Sequence, residues 1–368
     1  MLNQQGEALR LALHGVRLDL YSDSVLFRDY ASSVFQRLLV EDSSPPDLVS
    51  RLTWCEGKPP RSPREVFSLG DWERQPDRDL YLKGGQAWWM RIDDFANLKL
   101  HVDASGTPTS LEGKYYFRLG ERKGVEWLRR LRHRRRLDAL MSHRFSTLAY
   151  YLFYHPVLWR LSRQQGWHVL HGGAVRTPSG TALLTGMPGC GKSTLAVSML
   201  GVDGSAMLSD NLVLYNASQV LACPETVLLD SHSLALAGAG AQQVVATGEG
   251  RVFARDGYVP AEIEMNPCEP AAIFSVERGS HTLLKRIDAS ACVERMFAGN
   301  TMAQEVRRIG IMGEVLDLAA ETSAPDARVD AEQLSSRVPC FSLQIGPEEK
   351  LEELVKGLIV PAMEQPGG

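Results

Sequence analysis

Residues 181–200 read TALLTGMPGCGKSTLAVSML, the order of residue types expected of a buried strand, a glycine-rich turn and a helix. Gly186, four further residues and then Gly191-Lys192-Ser193 match the phosphate-binding pattern GxxxxGK[ST]. Each residue type has a mechanical reason. Gly186, Gly189 and Gly191 take backbone angles that a Cβ forbids, so successive N–H groups turn into one concave nest. A helix opening near Lys192 adds the positive end of its dipole, and the two together make an anion site. In this reading Lys192 reaches the β- and γ-phosphates, Ser193 ligates Mg²⁺, and Cys190 and Thr194 complete the wrap around the phosphates. The context that the pattern requires is present. Ala182-Leu183-Leu184 precede it, and Leu195, Ala196, Met199 and Leu200 follow at helical spacing. A chance glycine turn between strand and helix is the competing reading, and these flanks disfavour it.

At 368 residues the chain has room for two domains. It is 44% hydrophobic and 23% charged with a net charge of −4, which argues for a soluble globular protein and against a general nucleic-acid binder. The cysteines Cys55, Cys190, Cys223, Cys268, Cys292 and Cys340 contain no CxxC pair, so reduced thiols are expected rather than disulfides or zinc. The first residues, MLNQQGEALRLALHG, lack a basic stretch followed by an apolar core, and no signal peptide is expected. The most apolar helical window, Thr147–Trp159, is interrupted by His155-Pro156 and is too short to span a bilayer. The sequence thus predicts a cytoplasmic protein without a membrane partner.

All seven tryptophans lie between Trp54 and Trp167, and that shift in composition predicts two domains, divided at 140/141. In the first, residues 16–22 alternate like a half-buried strand and Asp29–Leu39 reads as a short amphipathic helix. Pro59–Arg78 reads as loop. Strands are expected at Trp88–Ile92, Leu98–Val102 and Tyr115–Arg118, an α+β arrangement. Between Arg118 and Arg136 nine Lys/Arg face two Glu, and Leu128, Leu131 and Leu137 suggest a helix with a basic face. That face is either simply solvated or, over Arg129–Arg136, a dock for an acidic or phosphorylated partner.

A second helix, His143–Gln165, precedes a strand at Trp167–Val175 and the turn Pro178-Ser179-Gly180. His171 ends its strand beside two glycines and is either structural or functional. The apolar strand Ala206–Ser209 runs into Asp210-Asn211, where nucleotide-dependent enzymes hold a metal ligand or a base, although Asp-Asn is also good turn chemistry. Glu225, Asp230 and Glu277 are further acids beside apolar runs. Gly238–Tyr258, with Arg251 and Arg255, is either a lid over a nucleotide or a plain flexible loop. A strand at Pro339–Gln344 and a helix at Glu348–Ile359 close the chain.

Taken together, HGGAV, GMPGCGKST and MLSDNLVLY resemble the kinase domain of HPr kinase/phosphorylase and related proteins, as do PAAIFSVERG and VPCFSLQIG. The resemblance covers roughly residues 143–360, and the first 140 residues do not look like the regulatory domain of that family. It implies an α/β fold of the HPr kinase and phosphoenolpyruvate carboxykinase type. It also implies an ATP- and Mg²⁺-dependent transfer of a γ-phosphate to a seryl-type hydroxyl on a protein, peptide or small molecule, with assembly into an oligomer left open. The family's base corresponds to Asp210 and its histidine to His171. Its second aspartate, a metal ligand, corresponds to Asn211, which offers a carbonyl oxygen without the charge that a hard cation prefers. The family's glycine-rich second signature has no counterpart, and Glu225 stands in for its metal-binding glutamate. A metal set of Ser193, Asn211 and Glu225 is therefore expected, with Asp210, His171 and Lys192 as catalytic groups. A second class of function is a nucleotide-binding switch or scaffold that transfers nothing, which Asn211 and the missing signature favour.

Overall fold

A computed structural model describes residues 7–76, 78–92, 95–117, 134–247, 255–347 and 349–365, with 134–140 and 142 described by their backbone alone. The fold is mixed α/β. The chain divides into two compact units, Met1–Gln165 with Ile309–Ala324, and Gly166–Arg308 with Pro325–Gly368.

The first unit is built on one sheet of β1 (Leu9–Leu13), β2 (Val16–Ser22), β3 (Leu48–Glu56), β4 (Glu73–Arg74), β5 (Leu80–Lys83), β6 (Gln86–Trp89), β7 (Leu98–Asp103) and β8 (Thr109–Phe117). Their spatial order is β1-β2-β3-β8-β7-β6-β5-β4, with β2, β3 and β8 parallel. Residues 16–22 form the expected strand, burying Val16, Leu18 and Leu20 on one face. The first helix is displaced from the expected 29–39 to Val25–Val34. Ser24 accounts for the shift, because its Oγ accepts from Phe27 N at 3.3 Å and satisfies one of the orphan donors of a helix start.

The compact units divide at 165/166, where the sequence predicts 140/141, and Ile309–Ala324 is part of the first unit. Packing and hydrogen bonding explain why. Phe145 of the helix Arg134–Ala149 lies 5.7 Å from Trp54 of β3, and Phe153, in the turn before the helix His155–Gln165, lies 4.5 Å from Phe35, which ties this helical run to the N-terminal unit. From the second of these helices, Trp159 Nε1 and Arg163 Nε donate to Asp317 Oδ1 at 2.8 and 2.7 Å. The His155-Pro156 step does not break the run, since a wide turn over Tyr150–Tyr154 leads straight into the second helix. The basic stretch 118–133 lies outside the described residues, and with it most of the proposed dock at Arg129–Arg136.

The second unit contains β9 (His168–Thr177), β10 (Gly180–Thr185), β11 (Ala206–Ser209), β12 (Leu212–Tyr215), β13 (Val220–Leu221), β14 (Val227–Leu229), β15 (Val244–Ala246), β16 (Asp256–Pro260), β17 (Pro270–Arg278), β18 (Leu283–Ile287) and β19 (Cys340–Ile345). The main sheet runs β13-β12-β9-β10-β17-β19-β18, with β11 also on β9, and a small sheet runs β14-β16-β15. Because β10, β17 and β19 are parallel, their carboxyl ends at Thr185, Arg278 and Ile345 share one edge. Period-two alternation sends Ala182, Leu184, Ala272 and Phe274 into one apolar cluster with the helix Lys192–Met199. Leu183 and Ile273 go into another cluster, with the helices Ala289–Met302 and Ala327–Arg337. The expected lid at 238–258 is partly sheet, since β15 pairs with β16, and Arg251 lies outside the described residues. Among the described residues no helix is long and apolar enough to cross a membrane.

Candidate functional site

The chain leaves β10 at Gly186 with φ 138°, and a Cβ there would stand 2.3 Å from the Val276 carbonyl oxygen. Backbone crowding therefore requires glycine. Gly191, at φ 103°, is the N-cap of the helix Lys192–Met199 and provides no side-chain acceptor. The first-turn N–H groups of a helix have no intrahelical acceptor, and here that turn, Lys192 to Thr194, lines a cavity at the positive end of the dipole. The Lys192 ammonium is buried and spans this loop, 2.8 Å from Gly186 O, 3.0 Å from Met187 O and 3.8 Å from Cys190 Sγ. Burial holds its pKa below the usual lysine range, while Cys190 and Asp210 oppose that shift.

β11 and β12 run along the same edge of β9, and the ladder is interrupted at Asp210-Asn211 opposite Gly172-Gly173. Asn211 turns the chain at φ 73°, a left-handed conformation that asparagine tolerates better than most residues. Of the two facing glycines Gly172 is required by crowding, since a Cβ there would lie 2.5 Å from Leu184 O of β10, whereas a Cβ on Gly173 would meet nothing nearer than Ser209 O at 3.5 Å. The break turns Asp210 toward the glycine loop, and it lines the same cavity as Lys192 and Ser193. Its Oδ1 is buried without a hydrogen-bond partner. Burial pushes the pKa of Asp210 up to about 6, against the pull of Ser193 and Lys192.

His171 Nδ1 lies 3.1 Å from Asn211 O. A carbonyl only accepts, so Nδ1 carries the proton and Nε2 keeps its lone pair, buried without a partner. Burial and then Lys192 lower its pKa to about 4, against the bond to Asn211, which leaves the ring neutral at pH 7. The strand is anchored by Asn300, whose Oδ1 accepts from His171 N at 2.7 Å and whose Nδ2 donates to Val169 O at 3.2 Å.

The three expected metal ligands are not gathered at one point. Asn211 Nδ2 donates to Glu225 Oε2 at 2.9 Å, and Ser193 and Asn211 line a common cavity without Glu225. Among the described residues there is no group of three or more His, Cys, Asp or Glu able to hold a metal ion. The unpartnered Asp210 oxygen beside the Ser193 hydroxyl is nevertheless a donor set that fits Mg²⁺, which takes one or two carboxylates and completes its shell from phosphates and water.

A cavity of about 240 Å³ gathers the glycine loop, Lys192, Ser193, Thr194, His171 and Asp210. Arg255, Arg278 and Glu305 line it as well, over Leu228, Leu229 and Ser233. Two of the other acids serve elsewhere: Asp230 caps a helix through Ser233 N at 2.7 Å, and Glu277 faces Arg295 at 3.6 Å on the surface. Arg278, Glu305 and Asn300 were missed from sequence. For Arg278 a signal existed, because it ends a parallel strand next to the loop-bearing one, and ligands gather at the carboxyl ends of such strands. No known family model matches the chain, and no curated protein matches it either.

Proposed function

We propose that the second unit has the phosphoenolpyruvate carboxykinase-type kinase fold and is an ATP-dependent phosphotransferase. In this reading it moves a γ-phosphate to a hydroxyl, seryl in type, on a protein, peptide or small molecule. The observation that carries the reading is the approach of Asp210, with one orphaned buried oxygen, to the first helical turn behind the Gly186–Gly191 loop. Phosphoryl transfer demands positioning and charge neutralisation more than covalent chemistry. The loop N–H groups and Lys192 hold the β- and γ-phosphates, and Arg255 and Arg278 bring further positive charge to the same cavity. Asp210, ionised above about pH 6, accepts the proton of the acceptor hydroxyl as that oxygen bonds to the γ-phosphorus. The bond to the β-phosphate oxygen breaks, and ADP leaves. Mg²⁺ would be held by Ser193 and one Asp210 oxygen and would neutralise phosphate charge, leaving the other Asp210 oxygen to take the proton. His171, neutral with Nε2 as acceptor, orients a hydroxyl rather than a phosphate.

A switch that binds nucleotide without transfer is the second reading, and the commitment of the Asn211 amide to Glu225 favours it. The test is the appearance of labelled γ-phosphate on acceptors in lysate of the source cell, with wild type beside Asp210→Asn. Label from the wild type alone supports the kinase. Equal label from both removes Asp210 as the base, and none from a wild type that binds Mg·ATP tightly supports the switch.

A further inference from the structure

A second cavity, of about 360 Å³, adjoins the first on the far side of the glycine loop. The two share Gly191, Thr194, Ser233 and Arg278, so a single ligand can occupy both. Their characters differ. The first is walled by cationic and hydrogen-bonding groups, and the second by Leu236, Ile345, Pro347 and Leu351, with His232 and Glu349 as polar groups at its wall that suit a ribose and a base edge. Its floor is built into the sheet edge, with Gly279 N donating to Ile345 O at 3.0 Å and Gly346 N to Thr282 Oγ1 at 3.1 Å. A wall fixed in this way is already formed before a ligand arrives, and the volume is within the roughly 300–1,000 Å³ of small-molecule sites. Arg278 marks the seam between a phosphate-binding region and an apolar one.

We propose that this second cavity receives the base and ribose of the nucleotide whose phosphates lie in the glycine loop, with Arg278 against the phosphate nearest the ribose. The inference rests on the nucleotide reading of that loop. A chain of charge, then a cation at the seam, then a flat apolar-faced group matches the order phosphate, phosphate ester, nucleoside. It does not match inorganic phosphate chains, which offer nothing to the apolar wall. The cavity therefore gives a preference for nucleotides that the loop alone lacks.

The test compares Mg·ATP with Mg-tripolyphosphate by titration calorimetry, on the wild type and on a Leu236→Ser/Pro347→Ser variant. Leu236 is 40% exposed and Pro347 is also exposed, so the changes spare the core. The wild type is expected to bind ATP at least tenfold more tightly than tripolyphosphate. The variant should lose most of that preference while binding tripolyphosphate within about twofold of wild type, which also certifies its folded loop. A wild type with no preference, or a variant that keeps it, overturns the base pocket and leaves the phosphate site standing. A wild type that binds neither overturns the phosphate site itself and the inference with it. Should the variant not fold, the wild-type comparison still decides.

Discussion

Asn211 gives its side-chain amide to Glu225, Nδ2 to Oε2 at 2.9 Å, from a left-handed backbone. An aspartate here would lose the donor and set carboxylate against carboxylate. Asn211→Asp is therefore expected to lose about 1–3 kcal/mol of stability at pH 8 in metal-free buffer, the cost of a broken hydrogen bond with like charge added. Added Mg²⁺ should restore part of it, and more than it adds to the wild type. Urea midpoints with and without Mg²⁺ measure both effects. A variant as stable as wild type without the cation would show that the pair contributes nothing.

Asp210 gives the fold a pH dependence whose sign is fixed by burial. Its folded pKa is raised from 3.8 to about 6, so the native state binds the proton more tightly than the unfolded chain does. Its contribution is fully present below about pH 4 and is lost as the pH rises through 6, a loss of up to about 3 kcal/mol at 1.36 kcal/mol per unit. Asp210→Asn removes that loss. The variant should melt near wild type at pH 4 and above it from pH 6 to 8. A gap largest at pH 4, or absent at pH 8, would contradict this origin.

Transfer should follow the same ionisation. With Asp210 as base, kcat/KM should fall about tenfold per unit below pH 6. His171 adds no limb above pH 5, because its pKa of about 4 keeps it neutral there. A rate profile flat from pH 5 to 8 would argue against Asp210 as the proton acceptor.

The three loop glycines are not equivalent, although the motif names them alike. A Cβ at Gly186 meets Val276 O at 2.3 Å with φ 138°, whereas at Gly189, with φ 81°, nothing lies within 4 Å. Gly186→Ala therefore combines strain with a backbone clash and should cost about 3 kcal/mol or more, while Gly189→Ala should cost about 1. Chemical denaturation of the two variants gives the comparison. Equal costs would mean that strand β17 yields at Val276.

Where a signal was local, it could be read. The loop, its helix and the strand running into Asp210 depend on neighbours within twenty residues, and β10 and the helix Lys192–Met199 formed there. The longer-range features were illegible for a physical reason. Nothing near residue 317 announces that Asp317 accepts from Trp159 and Arg163 across more than 150 residues, so the place of Ile309–Ala324 in the first unit had no signal in the sequence. β3 was missed because Leu48, Val49 and Ser50 are all buried, and a strand buried on both faces shows no alternation. In the site, Glu225 and Asn211 were both singled out as metal ligands, but a sequence does not say that one would bond the other. Arg278, one residue beyond Glu277, was passed over because only its position at a shared strand edge distinguishes it from a surface arginine.

Lys192 separates a loop held for its own sake from a loop held for phosphate. Its ammonium satisfies Gly186 O and Met187 O, and burial has already lowered its pKa, so the position carries a desolvation cost. A purely structural lysine would be replaceable by an apolar stem, since removing a buried charge together with its cost is often nearly neutral. Lys192→Met keeps the stem and removes the charge. It is expected to change thermal stability by only about 1 kcal/mol, because two carbonyls lose donors while a desolvated cation disappears. Its affinity for Mg·ATP should fall at least a hundredfold, because a charge-assisted bond to phosphate in a water-poor loop has no substitute. Calorimetric titration and a melting curve on the same sample give both numbers. A folded Lys192→Met protein that binds ATP as the wild type does would show that the loop is a turn with a resembling sequence, and that the phosphate site lies elsewhere.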